Sequence, residues 1–376
     1  MDFLYNLPVN LIFGNGKISE VGNVVSKYGK KALIVTGTGS TKKSGLLDKT
    51  IALLEECNIK CIIFDKVTQN PLDTIVYEGA ALAKEEKCDC VLGLGGGSIM
   101  DAAKAIAFIV KNPGDIFNYI YGAKIENEAL PIILVPTTCG TGSEGNGFAV
   151  LTNSNTLDKK SLRDNSIIAK ASIIDPELMV TMPKYILASV GFDALAHNME
   201  AYLSKSINPL VEIQALYGIK LIANNLPNIY KDYSDIKAWE KVCLGSTIGG
   251  MAIGAVGVGA PHGLEHPASG LRDIVHGKGL AALTPHIVEK SWQSDIKKYS
   301  TISQVLGGNF ADECSGAIKK FLKKIDLSVT LGSLGIKGSD VEWMTENCFK
   351  VSKASILNHP IEFTSNDIKE IYYNSL

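Results

Sequence analysis

Five of the six histidines in this chain of 376 residues fall between positions 197 and 286. Asp193 and His197 are four residues apart in FDALAH, and His262 and His266 are four residues apart in HGLEH. On a helix, this spacing places both side chains of a pair on one face, where they can converge. One carboxylate with two or three imidazoles, His276 among them, is a donor set that suits Zn or Fe(II). The set predicts a catalytic metal site.

The residues after Asp175-Pro176 must position these side chains, and their pattern is helical. Apolar residues recur at intervals of three and four in segments such as PLVEIQALYGIKLIANNLPNIY and CSGAIKKFLKKI. The glycine-rich apolar run at 246–260 is too short for a membrane span and indicates a closely packed buried helix. We therefore expect residues 181–376 to form an all-helical domain. A histidine taken singly could be an ordinary core or surface residue, but the spacing of the set favours metal binding.

The first half alternates short β-branched runs with helical patterns. The segments ALIVTG, CIIFD, CDCVLGLGGG and LPIILVPTT read as strands, and amphipathic segments separate them. This rhythm predicts a parallel sheet with right-handed crossovers, and such sheets bind ligands at the carboxyl ends of their strands. Residues 1–180 are therefore predicted to form an α/β dinucleotide-binding domain.

Three loops at that edge could bind a dinucleotide. GLGGGSIMD turns from a strand into a helix, and Ser98 and Asp101 have the spacing of a capping box at the start of that helix. PTTCGTGSEGNG is rich in hydroxyls and glycine, which can bind phosphate. VTGTGSTKKSG carries Ser40, Lys42 and Lys43 and no acid at its tip, which favours the 2′-phosphate of NADP(H) over NAD(H). GLGGGSIMD alone could be a plain tight turn, and PTTCGTGSEGNG alone could be a solvated turn.

Composition excludes several classes of partner. A net charge of −2 and a pI near 6.3 provide no basic surface for nucleic acid or for a membrane. The 8 cysteines include no CxxC pair and are expected to be reduced. The first residues, MDFLYNLPVN, lack the charged and apolar regions of a signal peptide, so we expect a cytoplasmic protein that acts on small molecules.

The sequence resembles the iron-containing (group III) alcohol dehydrogenase family over essentially its whole length. GLGGGSIMDAAKA, PTTCGTGSE, FDALAHNMEAY, HGLEHPASG and HGKGLAALTP follow one another in the order typical of that family. The resemblance implies that Asp193, His197, His262 and His276 are the metal ligands. It also implies that His266 is a catalytic residue beside the nicotinamide and the substrate.

The same resemblance assigns the cofactor contacts and the activity. The implied cofactor-binding residues are Gly37, Gly39, Ser40, Gly96, Gly97, Ser98, Asp101, Thr137, Thr138, Thr141, Lys160 and Leu178. We expect hydride transfer between NADP(H), or alternatively NAD(H), and a short primary alcohol or aldehyde such as butanol or butanal. Fe(II) is favoured over Zn(II) as the metal, and a homodimer is expected.

Some residues depart from the commoner pattern of the family. Gly145-Asn146 replaces a frequent Val-Thr, and Pro261 and Glu265 flank the first histidine of HGLEH. Glu265 has three interpretations: an acid in a proton path, a hydrogen-bond partner of another polar residue, or a solvated side chain. These residues lie near the expected pocket, so they affect the expected substrate more than the expected reaction class.

Three other functions are compatible with parts of the sequence. A glycerol-type polyol dehydrogenase is the nearest alternative. A lyase of the dehydroquinate synthase type needs many cations around its metal, whereas the segments near these ligands offer mainly Arg272 and Lys278. A non-enzymatic metal-binding or scaffold protein would explain the histidines but not the three glycine- and hydroxyl-rich loops.

Overall fold

The structure, a computed structural model, describes residues 2–376. All strands lie before residue 175, and ten of the α-helices follow it. Both expectations of the fold are thus confirmed: an α/β part with a parallel sheet comes first, and a helical part comes second. Within residues 2–376, no single helix combines the length and the apolar composition of a membrane-spanning segment.

The first part is built on a six-stranded sheet in which every neighbouring pair of strands is parallel. Its strands, in chain order, are β1 (Asn10–Phe13), β2 (Lys31–Gly37), β3 (Lys60–Val67), β4 (Cys90–Gly95), β5 (Ile132–Pro136) and β8 (Ala171–Ile174). The spatial order is β1-β8-β5-β4-β2-β3. The central strands are buried throughout, which is why they read as continuous apolar runs rather than as alternating ones. Because β5, β4 and β2 are neighbours in the sheet, the loops that follow them lie side by side.

Helices cover both faces of this sheet. They are α1 (Val21–Val25), α2 (Ser40–Lys43), α3 (Leu46–Glu55), α4 (Asp73–Glu85), α5 (Gly97–Lys111) and α6 (Ile116–Ile120). Two apolar clusters, one on each face, contain the side chains that alternate along the strands: Leu33 and Val35 on one side, Ala32 and Ile34 on the other. This arrangement leaves the carboxyl edge of the sheet free for a ligand.

The sequence did not indicate four of the strands. β1 and β8 are only 4 residues long, and β1 lies at the edge of the sheet. The other two, β6 (Phe148–Thr152) and β7 (Lys159–Arg163), pair antiparallel in a separate hairpin between β5 and β8. β7 reads KKSLR, and this polar composition hides a strand from a search for apolar runs.

The second part consists of packed helices. They are α7 (Lys184–Leu203), α8 (Pro209–Lys231), α9 (Ile236–Val256), α10 (Ala260–Arg272), α11 (His276–Ser291), α12 (Ile296–Leu306), α13 (Cys314–Lys324), α14 (Val341–Val351), α15 (Lys353–Asn358) and α16 (Ser365–Asn374). α7 is buried on nearly all sides, so it is the central helix of this part. The candidate ligands Asp193 and His197 lie on it.

The glycine-rich run forms the second half of α9, as the sequence indicated, and it touches the first part of the chain. Gly142, in the loop after β5, has a φ of +58° and lies directly against Gly250. A Cβ atom on Gly250 would come within 1.9 Å of the Gly142 carbonyl oxygen. Asn146 supports the same contact, since its side-chain amide donates to the Gly250 carbonyl at 3.0 Å. The unusual Gly145-Asn146 pair thus belongs to the interface between the two parts.

The predicted capping box at Ser98 and Asp101 is wrong. Gly96 is the N-cap of α5, and no side chain caps that helix. The Asp101 carboxylate instead accepts from the Ser143 hydroxyl at 2.6 Å and from the Val150 backbone N–H at 3.0 Å. Asp101 lies in the second turn of α5, where its side chain points towards the loop after β5 and the hairpin. It joins α5 to the hairpin rather than stabilising its own helix.

We predict that Gly250→Ala lowers the free energy of unfolding by about 1–3 kcal/mol, because the methyl group forces α9 and the loop after β5 apart. Gly316→Ala is the matched control: this helical glycine has no atom within 4 Å of an added Cβ, so stability should be unchanged or slightly higher. Thermal and urea unfolding of both variants provide the comparison. Equal midpoints for the two variants would contradict the close contact.

Candidate metal and cofactor site

Three helices bring the candidate metal ligands to one carboxylate oxygen. Asp193 Oδ1 lies 3.3 Å from His262 Nε2, on α10, and 3.7 Å from His276 Nε2, at the start of α11. His197, one turn along α7 from Asp193, places its Nε2 at 3.7 Å from the same oxygen. The structure therefore brings together all four ligands that the family resemblance implied.

The electrostatics of this cluster favour a bound cation. Asp193 Oδ1 and His262 Nε2 are buried and have no hydrogen-bond partner within residues 2–376. Burial alone would lower the pKa of His262, but the carboxylates of Glu200 and Asp193 raise it to about 10. The same negative field that would hold a proton on this imidazole also attracts a metal cation. The donor set and the unpartnered atoms fit a divalent metal.

His197 lies at the margin of the cluster. Its ring stacks on that of His262, with the ring centroids 4.3 Å apart. Burial lowers the pKa of His197 to about 4, so the imidazole is neutral and can act as a ligand. Asp193, His262 and His276 form one group of converging ligand atoms, and Glu265, His266 and His276 form a second.

Two carboxylates fix the orientation of two ligand rings. His262 Nδ1 donates to Glu200 Oε1 at 2.6 Å, and His276 Nδ1 donates to Glu265 Oε2. Each hydrogen bond sets the tautomer, so the Nε2 lone pair faces the metal position. Although burial alone would raise the pKa of Glu265, His276 and Lys159 bring it below its usual value. Of the three interpretations of Glu265, the structure supports a hydrogen-bond partner.

Glu200 was not identified from the sequence. It lies one turn beyond His197 on α7, and its second oxygen accepts from the Gly259 backbone N–H at 2.7 Å, at the start of α10. The only sequence signal is its position three residues after His197, which puts both side chains on one face of α7.

His266 lies next to the cluster without joining the group around Asp193. Its ring centroid is 5.7 Å from that of His276 and 6.1 Å from that of His262. Burial, followed by the charge of Lys159, lowers its pKa well below the usual value, so the imidazole is neutral. It lines the same groove as the ligands. The catalytic role that the resemblance implied for His266 stays a prediction.

The predicted cofactor residues lie along the carboxyl edge of the sheet. Gly37, Gly39 and Ser40 follow β2; Gly96, Gly97, Ser98 and Asp101 follow β4; Thr137, Thr138 and Thr141 follow β5; and Leu178 follows β8. The second and third loops touch, because a Cβ atom on Gly97 would come within 2.2 Å of the Thr141 side chain. Only glycine allows this approach.

Lys160 is the exception among the predicted cofactor contacts. Its ammonium donates to the Val351 carbonyl at 2.6 Å and lies over the Tyr121 ring. Lys159, on the opposite face of the same strand, lines the groove instead and donates to Asn70 Oδ1 at 2.8 Å. The structure brings Lys159 to the site and does not bring Lys160 there.

One groove joins the metal ligands to the glycine-rich loop. Its cavity of about 120 Å³ is lined on the sheet side by Gly97, Ser98 and Thr141. The helical side is lined by Asp193 and the histidines of α7, α10 and α11. A substrate in this groove would lie between the glycine-rich loop and the candidate metal ligands.

Family models cover both parts of the chain. Residues 8–176 match the model described as iron-containing alcohol dehydrogenase. Residues 187–376 match the model of the C-terminal part of the Fe-containing alcohol dehydrogenase family. The chain belongs to the iron-containing alcohol dehydrogenase family. The family resemblance of the sequence is confirmed.

Individual relatives agree with this membership. The chain is 34% identical over 380 residues to 1,3-propanediol dehydrogenase of Klebsiella pneumoniae, with 98% of each chain covered. It is 31% identical to the NAD-dependent methanol dehydrogenase of Bacillus methanolicus, covering 98% of this chain and 99% of that one. As a member of this family of alcohol dehydrogenases, the protein is an oxidoreductase, and dependence on a nicotinamide cofactor is typical of the family.

Solved structures of relatives have the same fold. A Red Sea brine pool archaeal alcohol dehydrogenase superposes with a TM-score of 0.96 at 32% identity, over 100% of this chain and 99% of that one. The NADH-dependent butanol dehydrogenase A of Thermotoga maritima gives 0.92 at 30% identity, over 100% and 98%. The relatives act on different alcohols, so family membership establishes alcohol dehydrogenase activity at the level of the alcohol class.

We predict that Glu265→Gln weakens metal binding about 10- to 100-fold, because the amide is a poorer acceptor for the His276 Nδ1–H. Competition between the protein and a chromophoric chelator for Zn(II) or Co(II) measures the affinity without relying on activity. Glu289→Gln is the control, since this carboxylate pairs with Lys319 outside the groove. Unchanged affinity in Glu265→Gln would show that the hydrogen bond does not orient the ligand.

Proposed function

We propose that the protein is a metal-dependent alcohol dehydrogenase or aldehyde reductase that prefers NADP(H), uses Fe(II), and acts on short primary alcohols such as butanol and on their aldehydes. We further propose that it works as a homodimer in the cytoplasm. The observation that carries the proposed reaction is the shared groove: the metal ligands and the glycine-rich loop form opposite walls of one cavity.

The size of the cavity supports a short substrate. About 120 Å³ is comparable with a cavity that accepts one benzene molecule. Phe148, Val150 and Ile253 supply apolar surface in the same cavity. A chain of a few carbons fits these dimensions.

The loop after β2 supports NADP(H). Asp65, at the end of the neighbouring strand β3, reaches this loop, but the Lys42 ammonium pairs with it and lowers its pKa. Lys43 is exposed and pairs with no acid in the described chain 2–376. An unpaired cation beside Gly39 and Ser40 can bind a 2′-phosphate, whereas a free carboxylate there would repel it.

The residues of the groove have distinct tasks in this reaction. When bound, the divalent metal supplies Lewis acidity towards the substrate oxygen, and the nicotinamide supplies or accepts the hydride. Asp193 and the three histidines would hold the metal, and Glu200 and Glu265 orient two of their rings. His266 is neutral and half-buried, so its ring nitrogen can accept the alcohol proton and pass it towards solvent.

The activity is tested with protein purified without oxygen, stripped by a chelator, and reloaded separately with Fe(II) or Zn(II). We expect butanal to be reduced after reloading with Fe(II), and NADPH to be oxidised faster than NADH. A protein that binds NADPH but reduces no short aldehyde with either metal would contradict the proposed substrate. 1,3-Propanediol and glycerol are then tested in the oxidative direction.

Lys43→Met examines the cofactor preference in the same assay. Loss of one charged hydrogen bond should raise the KM for NADPH about tenfold or more and leave the KM for NADH within about twofold. An equal change for both cofactors would contradict the 2′-phosphate contact.

His266→Ala tests the proton path. We expect alcohol oxidation to slow about 100-fold, because the proton must leave without a positioned base. The remaining rate should rise more steeply with pH than that of the unaltered enzyme, since hydroxide then accepts the proton. Metal content, measured in parallel, should be unchanged. Full activity with an unaltered pH profile would exclude this role.

A further inference from the structure

The β6–β7 hairpin presents one of its faces to the groove. Its register pairs Phe148 with Arg163, Val150 with Ser161, and Thr152 with Lys159. Because side chains alternate along a strand, these six residues share one face of the hairpin. Three of them, Phe148, Val150 and Lys159, line the cavity that contains the metal ligands. Arg163 lies on this same face, at the Phe148 end.

Among the described residues, Arg163 has no acidic partner, in contrast to Lys159 and Arg272. Its guanidinium carbon lies 4.5 Å from the centre of the Phe148 ring, and within residues 2–376 no carboxylate pairs with it. Lys159 contacts Asn70 and lies 3.8 Å from Glu265 Oε2. Arg272 pairs with Asp340. The guanidinium is held by the aromatic ring and keeps its N–H groups free.

Arg163 adds positive charge beside the groove. Its guanidinium lies over the ring of Phe148, and Phe148 lines the groove together with Lys159. Glu265 faces His276 and Lys159, and Asp193 faces the imidazoles of the candidate ligands, so neither acid pairs with Arg163. Arg163 therefore adds a positive charge that the protein does not compensate. The sequence suggested few cations near the ligands, but the hairpin brings Lys159 into the groove and places Arg163 on Phe148, which lines it.

We propose that Arg163 forms a subsite for an anionic group of the substrate, so that the preferred aldehydes and alcohols carry a carboxylate or phosphonate at the end remote from the reacting carbon. This inference rests on the proposed function and narrows its substrate class. A planar guanidinium binds such oxyanions with two parallel hydrogen bonds, and stacking on Phe148 fixes its plane in advance. The apolar atoms of Phe148 and Val150 then contact the carbon chain between the two ends.

The test compares butanal with 4-oxobutanoate, which has the same chain length and one added carboxylate, and with phosphonoacetaldehyde as a second oxyanion. Metal-loaded wild type, Arg163→Gln and Arg163→Lys are assayed with NADPH. Arg163 is exposed, so both variants should fold. Lys124→Gln, which removes a cation with an 85% exposed side chain outside the groove, is the control for net charge.

We expect wild type to prefer the anionic aldehydes, as measured by kcat/KM relative to butanal. Arg163→Gln should reduce this preference about 10- to 100-fold, and Arg163→Lys should restore part of it, since the charge returns without the planar pair of donors. The two anionic aldehydes distinguish a carboxylate from a phosphonate as the better ligand. Lys124→Gln should retain the wild-type preference.

Three outcomes would overturn the inference. Wild type could reduce butanal at least as well as the anionic aldehydes, in which case the proposed function stands and the subsite does not. Arg163→Gln could lower kcat/KM equally for all aldehydes. It could also raise only the KM for NADPH, which would make Arg163 a cofactor contact.

A binding measurement separates this inference from the proposed function. Succinate, an unreactive dicarboxylate, is titrated calorimetrically into the NADPH-bound protein. Should no aldehyde be reduced at all, the proposed function fails, whereas succinate binding that weakens about tenfold or more in Arg163→Gln still supports the anion subsite. Succinate binding that is absent or independent of Arg163 overturns it.

Discussion

A carboxylate buried among three imidazoles needs a compensating cation, and the architecture of the helical part follows from that requirement. Asp193 Oδ1 has no hydrogen-bond donor of its own, yet three ring nitrogens lie within 3.7 Å of it. Leaving such an oxygen unpaired in a protein interior is costly. Three helices have to end or cross at this point, and Glu200 and Glu265 hold two of the rings in place. The unpartnered Asp193 Oδ1 makes this cluster a candidate metal site, and a bound metal would supply the reactivity of the groove.

The second wall of the groove depends on contacts between backbone atoms. Gly142 and Gly250 lie so close that no side chain fits at either position, and Asn146 hydrogen-bonds across the same interface. Parallel strands place the cofactor loops at one edge of the sheet, and this interface sets that edge opposite the metal ligands. The distance between the two walls, on which hydride transfer depends, is therefore set largely by Gly142 and Gly250, which do not line the groove.

The sequence was sufficient for features that repeat or lie close together along the chain. Buried apolar runs predicted the central strands, and the four-residue spacing of Asp193 and His197 predicted a shared helical face. Features that depend on tertiary contacts could not be predicted in this way. Glu200 meets His262, which lies 62 residues further along the chain. In β7, Lys159 faces the groove and Lys160 faces away, because adjacent side chains of a strand point to opposite sides. The sequence alone does not show which of the two lysines faces the groove.

Because the candidate ligands come from three helices, metal binding at this site would link metal supply to the lifetime of the protein. The ligands converge only when α7, α10 and α11 are packed, so the unfolded chain has no equivalent site. Each tenfold excess of free metal over its dissociation constant adds about 1.4 kcal/mol to the stability of the helical part. Without the metal, these helices would open more often and be exposed to proteolysis. The cellular amount of the protein would then follow the availability of its metal, without any dedicated regulator.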